Sequence, residues 1–284
     1  MRLSSPVGIA LLLALALMLP GPGSAQPMGA AGLFESDLRE LATADDGRGW
    51  EAVGRLNLGR RGFCTGALIE PQLVLTAAHC LFDRDTGERF AIEEIEFLAG
   101  WRNGRAAAYR GVRRAMPHPN YRFGEHSMLD RVAFDIALVE LDQPIRLPSI
   151  RPFEIDFEAR GGDRVGVVSY ARERSEAPSL QELCHVLGRQ EGVLVLSCEV
   201  DFGASGAPIF SMQYGTPRIV SVISAKAEMQ SRKVALGTSL RDQLSDLRQA
   251  MASGDMRFLR PGAVPGGLSG GADRDGFGAR FVRP

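Results

Sequence analysis

The chain has 284 residues, with 33 Lys and Arg against 34 Asp and Glu, a formal net charge of -1 and a hydrophobic share of 45%. That is enough apolar material for a sizeable core, and it excludes wholesale disorder and fibrous repeats. The near-zero charge exerts no bulk pull on phosphate or anionic lipid, and the cations, of which only Lys226 and Lys233 are lysines, are scattered, so no nucleic-acid partner is expected.

Arg2 precedes the apolar run Val7 to Leu19, which is followed by Pro20 to Gly23 and the small residues Gly23-Ser24-Ala25. These are the parts of a secretory signal peptide over residues 1–25, and the run is short of the ~20 residues that a membrane span needs. The expected product is secreted or periplasmic, has no membrane association after cleavage, and is a monomer. Residues 26–46 read as an N-terminal segment and candidate pro-segment, ahead of a domain over 47–255.

In an oxidising compartment, Cys64, Cys80, Cys184 and Cys198 read as two disulfides. Three pairings are open. The local one joins Cys64 to Cys80 and Cys184 to Cys198, each bridge worth roughly 3 kcal/mol by loop closure. His79 beside Cys80 and His185 beside Cys184 raise the question of zinc, but neither pair has the spacing that wraps one ion, so no metal or cofactor is expected.

The apolar pattern comes in short bursts: Ala67 to Ile69, Leu73 to Leu75, Ile92 to Leu98, Ile136 to Leu141, Val165 to Val168, Val193 to Leu196 and Ile219 to Ile223. Rich in β-branched residues and separated by Gly, Pro, Asp and Asn clusters, they predict an all-β barrel or sandwich. From Ser239 to Ser253, the spacing of Leu240, Leu244, Leu247 and Met251 predicts an amphipathic helix capped by the serine. Residues 256–284, rich in Gly and Pro, read as a disordered tail.

Three segments carry chemistry. In Thr76-Ala77-Ala78-His79-Cys80, a histidine at the end of a buried strand is placed to act as a rigid general base. In Phe134-Asp135-Ile136-Ala137-Leu138-Val139, a single carboxylate heads an apolar strand and needs a partner such as an imidazole N–H, or else a solvated strand end. In Phe202-Gly203-Ala204-Ser205-Gly206-Ala207-Pro208, small residues surround one hydroxyl, and the glycines free backbone N–H groups to face a developing oxyanion. His118 and His126 fall in polar loops and read as solvated; His185 reads as a surface or packing residue.

Together these segments, in the order His, Asp, Ser, resemble the trypsin-like (chymotrypsin-fold) serine proteases, closest to secreted bacterial members. The resemblance covers roughly Trp50 to Ser253 and includes Gly62-Phe63-Cys64-Thr65-Gly66-Ala67-Leu68-Ile69 and His118-Pro119-Asn120-Tyr121. It implies two six-stranded antiparallel β-barrels, about 47–150 and 151–238, a closing helix over 239–253 and a Cys64–Cys80 disulfide. It also implies a peptide substrate attacked by Ser205, with His79 as base, Asp135 orienting it, and the N–H groups of Gly203 and Ser205 as the oxyanion hole. The alternative is a catalytically inactive homologue that binds a partner through the same fold.

The chain departs from the family pattern in places. Ala204 stands where digestive members carry an Asp that pairs with a freshly cut amino terminus, so activity is expected to vary little as the mature start moves between Gln26 and Asp45. In the resemblance Ser224 matches the serine that bonds the catalytic Asp, and Glu199 the acid that selects Arg and Lys. Lys226, where a wall glycine is usual, is placed to pair with Glu199 and cancel that attraction. Ile223 falls where glutamate-specific relatives carry a His, which argues against a glutamate preference.

Overall fold

The computed structural model describes residues 37–124, 127–213, 215–253 and 279–281. The signal peptide expected over 1–25, residues 26–36, His126 and all of the Gly/Pro-rich tail except 279–281 lie outside the described residues.

After a short strand β1 (Arg39–Glu40), six strands close the first barrel: β2 (Val53–Leu58), β3 (Phe63–Glu70), β4 (Leu73–Thr76), β5 (Ile95–Ala99), β6 (Ala108–Pro117) and β7 (Ala137–Leu141), in the order β2-β3-β4-β7-β6-β5. Register places Leu56, Leu68, Val74 and Phe97 on one face of the sheet and Ala67, Leu75 and Leu138 on the other, and both faces are fully buried, so β3 reads as a continuous apolar run. Gly54 is required by this packing, because a Cβ there would lie 2.5 Å from the Phe97 ring. A short helix, α1 (Met128–Ala133), precedes β7; the Ser127 hydroxyl caps it by accepting the Asp130 N–H.

The second barrel is built from β8 (Arg164–Ala171), β9 (Arg174–Gln190), β10 (Val193–Leu196), β11 (Pro208–Ser211), β12 (Arg218–Met229) and β13 (Arg232–Ser239). Its ring runs β8-β9-β10-β13-β12-β11 and closes through antiparallel β8–β9 pairing. The fold is thus two six-stranded antiparallel barrels of chymotrypsin type. Trp50, Phe153 and Phe210 pack between the barrels, with centroids 5.0 Å (Trp50–Phe210) and 4.7 Å (Phe153–Phe210) apart.

Helix α2 (Arg241–Ala252) follows, burying Leu244, Leu247 and Met251. The expected serine cap is not made. Ser239 ends β13, its hydroxyl accepts from Arg189 at 3.0 Å, and Leu240 is the N-cap.

Segments near both ends of the chain pair with the second barrel. At the start, β1 pairs with β9, Leu41 is fully buried, and the Asp37 carboxylate accepts the N–H groups of Glu182 and Leu183 at 3.0–3.2 Å. In the tail, β14 (Ala279–Phe281) forms an antiparallel pair with Ala227–Met229 of β12.

Candidate active site

β4 ends at Thr76 and leads into a 3-10 turn, Ala78–Leu81, that carries His79. The Cys64–Cys80 disulfide fastens this turn to β3, and Cys184–Cys198 fastens β9 to the segment after β10. The Sγ atoms of Cys64 and Cys80 lie within 4.8 Å of a His79 ring nitrogen, but both sulfurs are committed to the disulfide and make no thiolate ligand set.

Asp135, 2% exposed between α1 and β7, escapes the cost of a lone buried charge by accepting three hydrogen bonds. The His79 backbone N–H donates to Oδ1 at 2.8 Å. His79 Nδ1 lies 2.6 Å from Oδ2, and the Ser224 hydroxyl of β12 donates to the same oxygen at 2.5 Å. The ring is therefore held with Nδ1 on the carboxylate and Nε2 directed away from it, the tautomer a general base needs.

Ser205 lies on the turn before β11, half-buried, and several contacts pin this turn to the first barrel. Its carbonyl accepts the Thr65 N–H at 2.8 Å. Gly206, at φ +76°, lies so close to β4 that a Cβ would come within 2.1 Å of the Thr76 hydroxyl and 2.8 Å of the Ala77 nitrogen, just before His79. Gly203, at φ +99°, has no room for a Cβ against Phe63 and Ala171. Among the described residues no acceptor lies within hydrogen-bond reach of the Gly203 or Ser205 N–H.

Thr65 was not singled out by the sequence, yet it organises this turn. Fully buried, its hydroxyl donates to the Gly203 carbonyl at 2.8 Å and accepts the Tyr170 N–H at 3.1 Å, while its own carbonyl accepts the Thr76 hydroxyl at 2.9 Å. The only advance signal was its position beside Cys64.

Around the expected specificity pocket, the Lys226–Glu199 pair is not formed. Lys226 Nζ instead lies 3.2 Å from Asp201 and 4.0 Å over the Phe202 ring, because Asp201 and Phe202 belong to the turn that Lys226 faces. Burial alone would raise the Asp201 carboxyl, but the Phe202 N–H, Lys226 and Arg174 together hold it below its ordinary value. Glu199 is exposed, its N–H donating to the buried Gln181 at 2.8 Å. Arg174 sits near Asp201 and Glu199, so the pull that Glu199 alone would exert on a basic side chain is offset.

His118 is not solvated. It is 2% exposed, stacked on Phe134 with centroids 5.0 Å apart, and its Nδ1 accepts the Asn120 N–H at 3.1 Å. Burial pushes its pKa down to about 4, with Asp246 opposing. His185 is buried, its N–H donating to the Ser197 hydroxyl at 2.9 Å, which fits a packing role.

The chain is similar in sequence and fold to known proteases. The trypsin family model matches residues 43–192. The chain is 31% identical over 97 residues to a modular serine protease of Drosophila melanogaster, covering 33% of this chain and 15% of that protein. It is 33% identical over 105 residues to coagulation factor IX of Oryctolagus cuniculus, covering 35% and 33% respectively. The chain thus spans a third or less of these curated relatives. The solved structure of a Glu endopeptidase in complex with MPD superposes with a TM-score of 0.62 at 16% identity, covering 77% of this chain and 98% of the other; this likeness shows the fold.

Proposed function

From its membership of the trypsin family of chymotrypsin-fold serine proteases, we propose that the chain is a secreted serine endopeptidase that cleaves peptide bonds through an acyl-enzyme on Ser205. The observation that carries this reading is the His79–Asp135–Ser224 hydrogen-bond chain beside a Ser205 turn whose N–H groups at Gly203 and Ser205 have no acceptor among the described residues.

On this reading Ser205 Oγ attacks the carbonyl carbon of the scissile bond as His79 Nε2 takes its proton. The carbonyl oxygen, now carrying the negative charge, is met by the Gly203 and Ser205 N–H groups. Collapse breaks the C–N bond, and the imidazolium hands its proton to the leaving amine. Water then repeats the sequence on the ester and frees the acid. Asp135 holds Nδ1–H throughout and stabilises the imidazolium, and Ser224 and the His79 N–H keep the carboxylate aimed.

The test is hydrolysis of an unfolded protein such as casein by the purified chain. Wild type cleaves it, and Ser205→Ala and His79→Ala each lose on the order of 10^4-fold or more in kcat. A Ser205→Ala protein with near-normal hydrolysis refutes the assignment. A folded wild type that cleaves nothing favours the binding homologue.

A further inference from the structure

The Phe202 ring, next to Gly203, is surrounded by cations. Lys226 lies 4.0 Å from its centroid, Arg172 5.1 Å and Arg84 5.6 Å. Lys226 is neutralised by Asp201 at 3.2 Å. Among the described residues, neither arginine has a carboxylate within 4.0 Å, although both are held close to one face of the site. Arg172 is anchored by its N–H, which donates to the Phe202 carbonyl at 2.6 Å. Arg84 lies in the loop that continues from the His79 turn and Asp83. Burial and the like charge of Arg172 lower the Arg84 guanidinium from its ordinary value, with Asp85 opposing, so the repulsion between the two cations is only partly offset.

Their side of the cleft follows from the chemistry. His79 must reach the departing amine, so the part of a peptide beyond the scissile bond runs toward the His79 turn and the loop behind it. We propose that Arg84 and Arg172 are specificity residues that recognise an acidic side chain on the leaving-group half of a peptide substrate, within one or two residues of the cut. A carboxylate there would accept from either guanidinium and relieve the repulsion between them.

This inference rests on the endopeptidase reading, and the experiment separates the two. Fluorogenic peptides differing only in the first two residues after the cut (Glu, Ala or Lys) are compared on wild type and on Arg84→Ala/Arg172→Ala, alongside a small ester substrate with no residues beyond its leaving group. Wild type favours Glu over Ala by about five- to tenfold, the range two exposed charge pairs supply, and the preference shrinks in high salt. The double variant loses it while keeping ester turnover. Arg84→Glu/Arg172→Glu inverts it toward Lys. Ester turnover with no Glu preference in wild type, or with the preference intact in the alanine variant, overturns the proposal; absence of ester turnover in wild type refutes the endopeptidase reading instead.

A different observation carries a second inference. Along one edge β12 pairs with β13 over Ser221–Met229 with a bulge at Ser224, and along the other it pairs with β11 only as far as Val222, with Ile223 bonded to Gly206 and Ala207. From Ser224 onward that second edge leads away from the Ser205 turn as an unpaired rail, the kind of edge on which an extended peptide adds as a strand. β14 occupies its far part, with Ala279 opposite Met229 and Phe281 opposite Ala227, so its chain direction points along the rail toward Ser224. Among the described residues no strand pairs with Ser224–Lys226 on this second edge. We infer that β14 is an autoinhibitory strand that competes with the acyl-side residues of long substrates for the β12 edge.

Deleting residues 279–284 tests this. KM for a peptide with five or six residues before the cut falls about three- to tenfold with kcat unchanged, whereas the small ester is turned over as before. In the full chain, Arg280→Pro, which removes a backbone donor and disrupts the pairing, has the same effect. An unchanged KM for the long peptide in both variants overturns the inference.

Discussion

Replacing Thr65 with Val keeps the shape of the side chain and removes one hydroxyl. Two buried groups then lose their partners: the Gly203 carbonyl, which accepts from Thr65 Oγ1 at 2.8 Å, and the Tyr170 N–H, which donates to it at 3.1 Å. Leaving a buried polar group unsatisfied costs about 1–3 kcal/mol, so the pair costs about 2–6 kcal/mol. For a domain of this size that lowers Tm by about 4–24 °C. The hydroxyl also positions the Gly203 peptide, so misplacing its N–H is expected to lower kcat at least tenfold, within the range set by loss of an oxyanion donor. Calorimetry and single-turnover acylation read the two effects. Thr65→Ser, which keeps the hydroxyl, should recover most of both, separating the hydrogen bonds from the methyl group. A Thr65→Val protein with wild-type Tm and kcat refutes the claim that Thr65 holds the turn.

Ser224→Ala removes the charge-assisted bond on Asp135 Oδ2 and is expected to lower kcat/KM about tenfold, with a small fall in Tm, measured on a peptide ester. His118, buried and neutral with its pKa pushed down to about 4, binds fewer protons folded than unfolded below pH 6.5. Its contribution is therefore fully present above that pH and lost as pH falls toward 4, by up to about 3 kcal/mol, and His118→Phe should flatten the acid limb of a denaturant-stability profile. A chain beginning at Asp37 should match one beginning at Gln26, whereas one beginning at Thr43 loses the Asp37 bonds, β1 and the buried Leu41, lowering Tm by about 5–10 °C in a thermal melt.

What was legible in the sequence is what local chemistry dictates. Bursts such as Leu73 to Leu75 and Val193 to Leu196 lie within strands because their inward faces are continuous apolar surface. β6 and β9 gave no such signal. β6, Ala108–Pro117, carries three arginines and exposes much of one face, and β9, Arg174–Gln190, mixes buried and half-exposed positions along 17 residues. His79 and Asp135 announced themselves because a histidine or carboxylate in an apolar segment needs a reason. Thr65 did not, since its partners Gly203 and Tyr170 lie 138 and 105 residues away and meet it only when the barrels pack. The same holds for His118, whose polar surroundings in sequence concealed the Phe134 ring that covers it, and for Lys226, whose partner was decided by the path of the turn before Ser205.

The central claim is that Ser205 is an activated nucleophile, and labelling of the purified chain by a fluorophosphonate probe addresses it without knowledge of the substrate. The account predicts stoichiometric labelling of wild type, mapped to Ser205, abolished in Ser205→Ala and strongly slowed in His79→Ala. A folded wild type that stays unlabelled, or label on another residue that persists in Ser205→Ala, would contradict it.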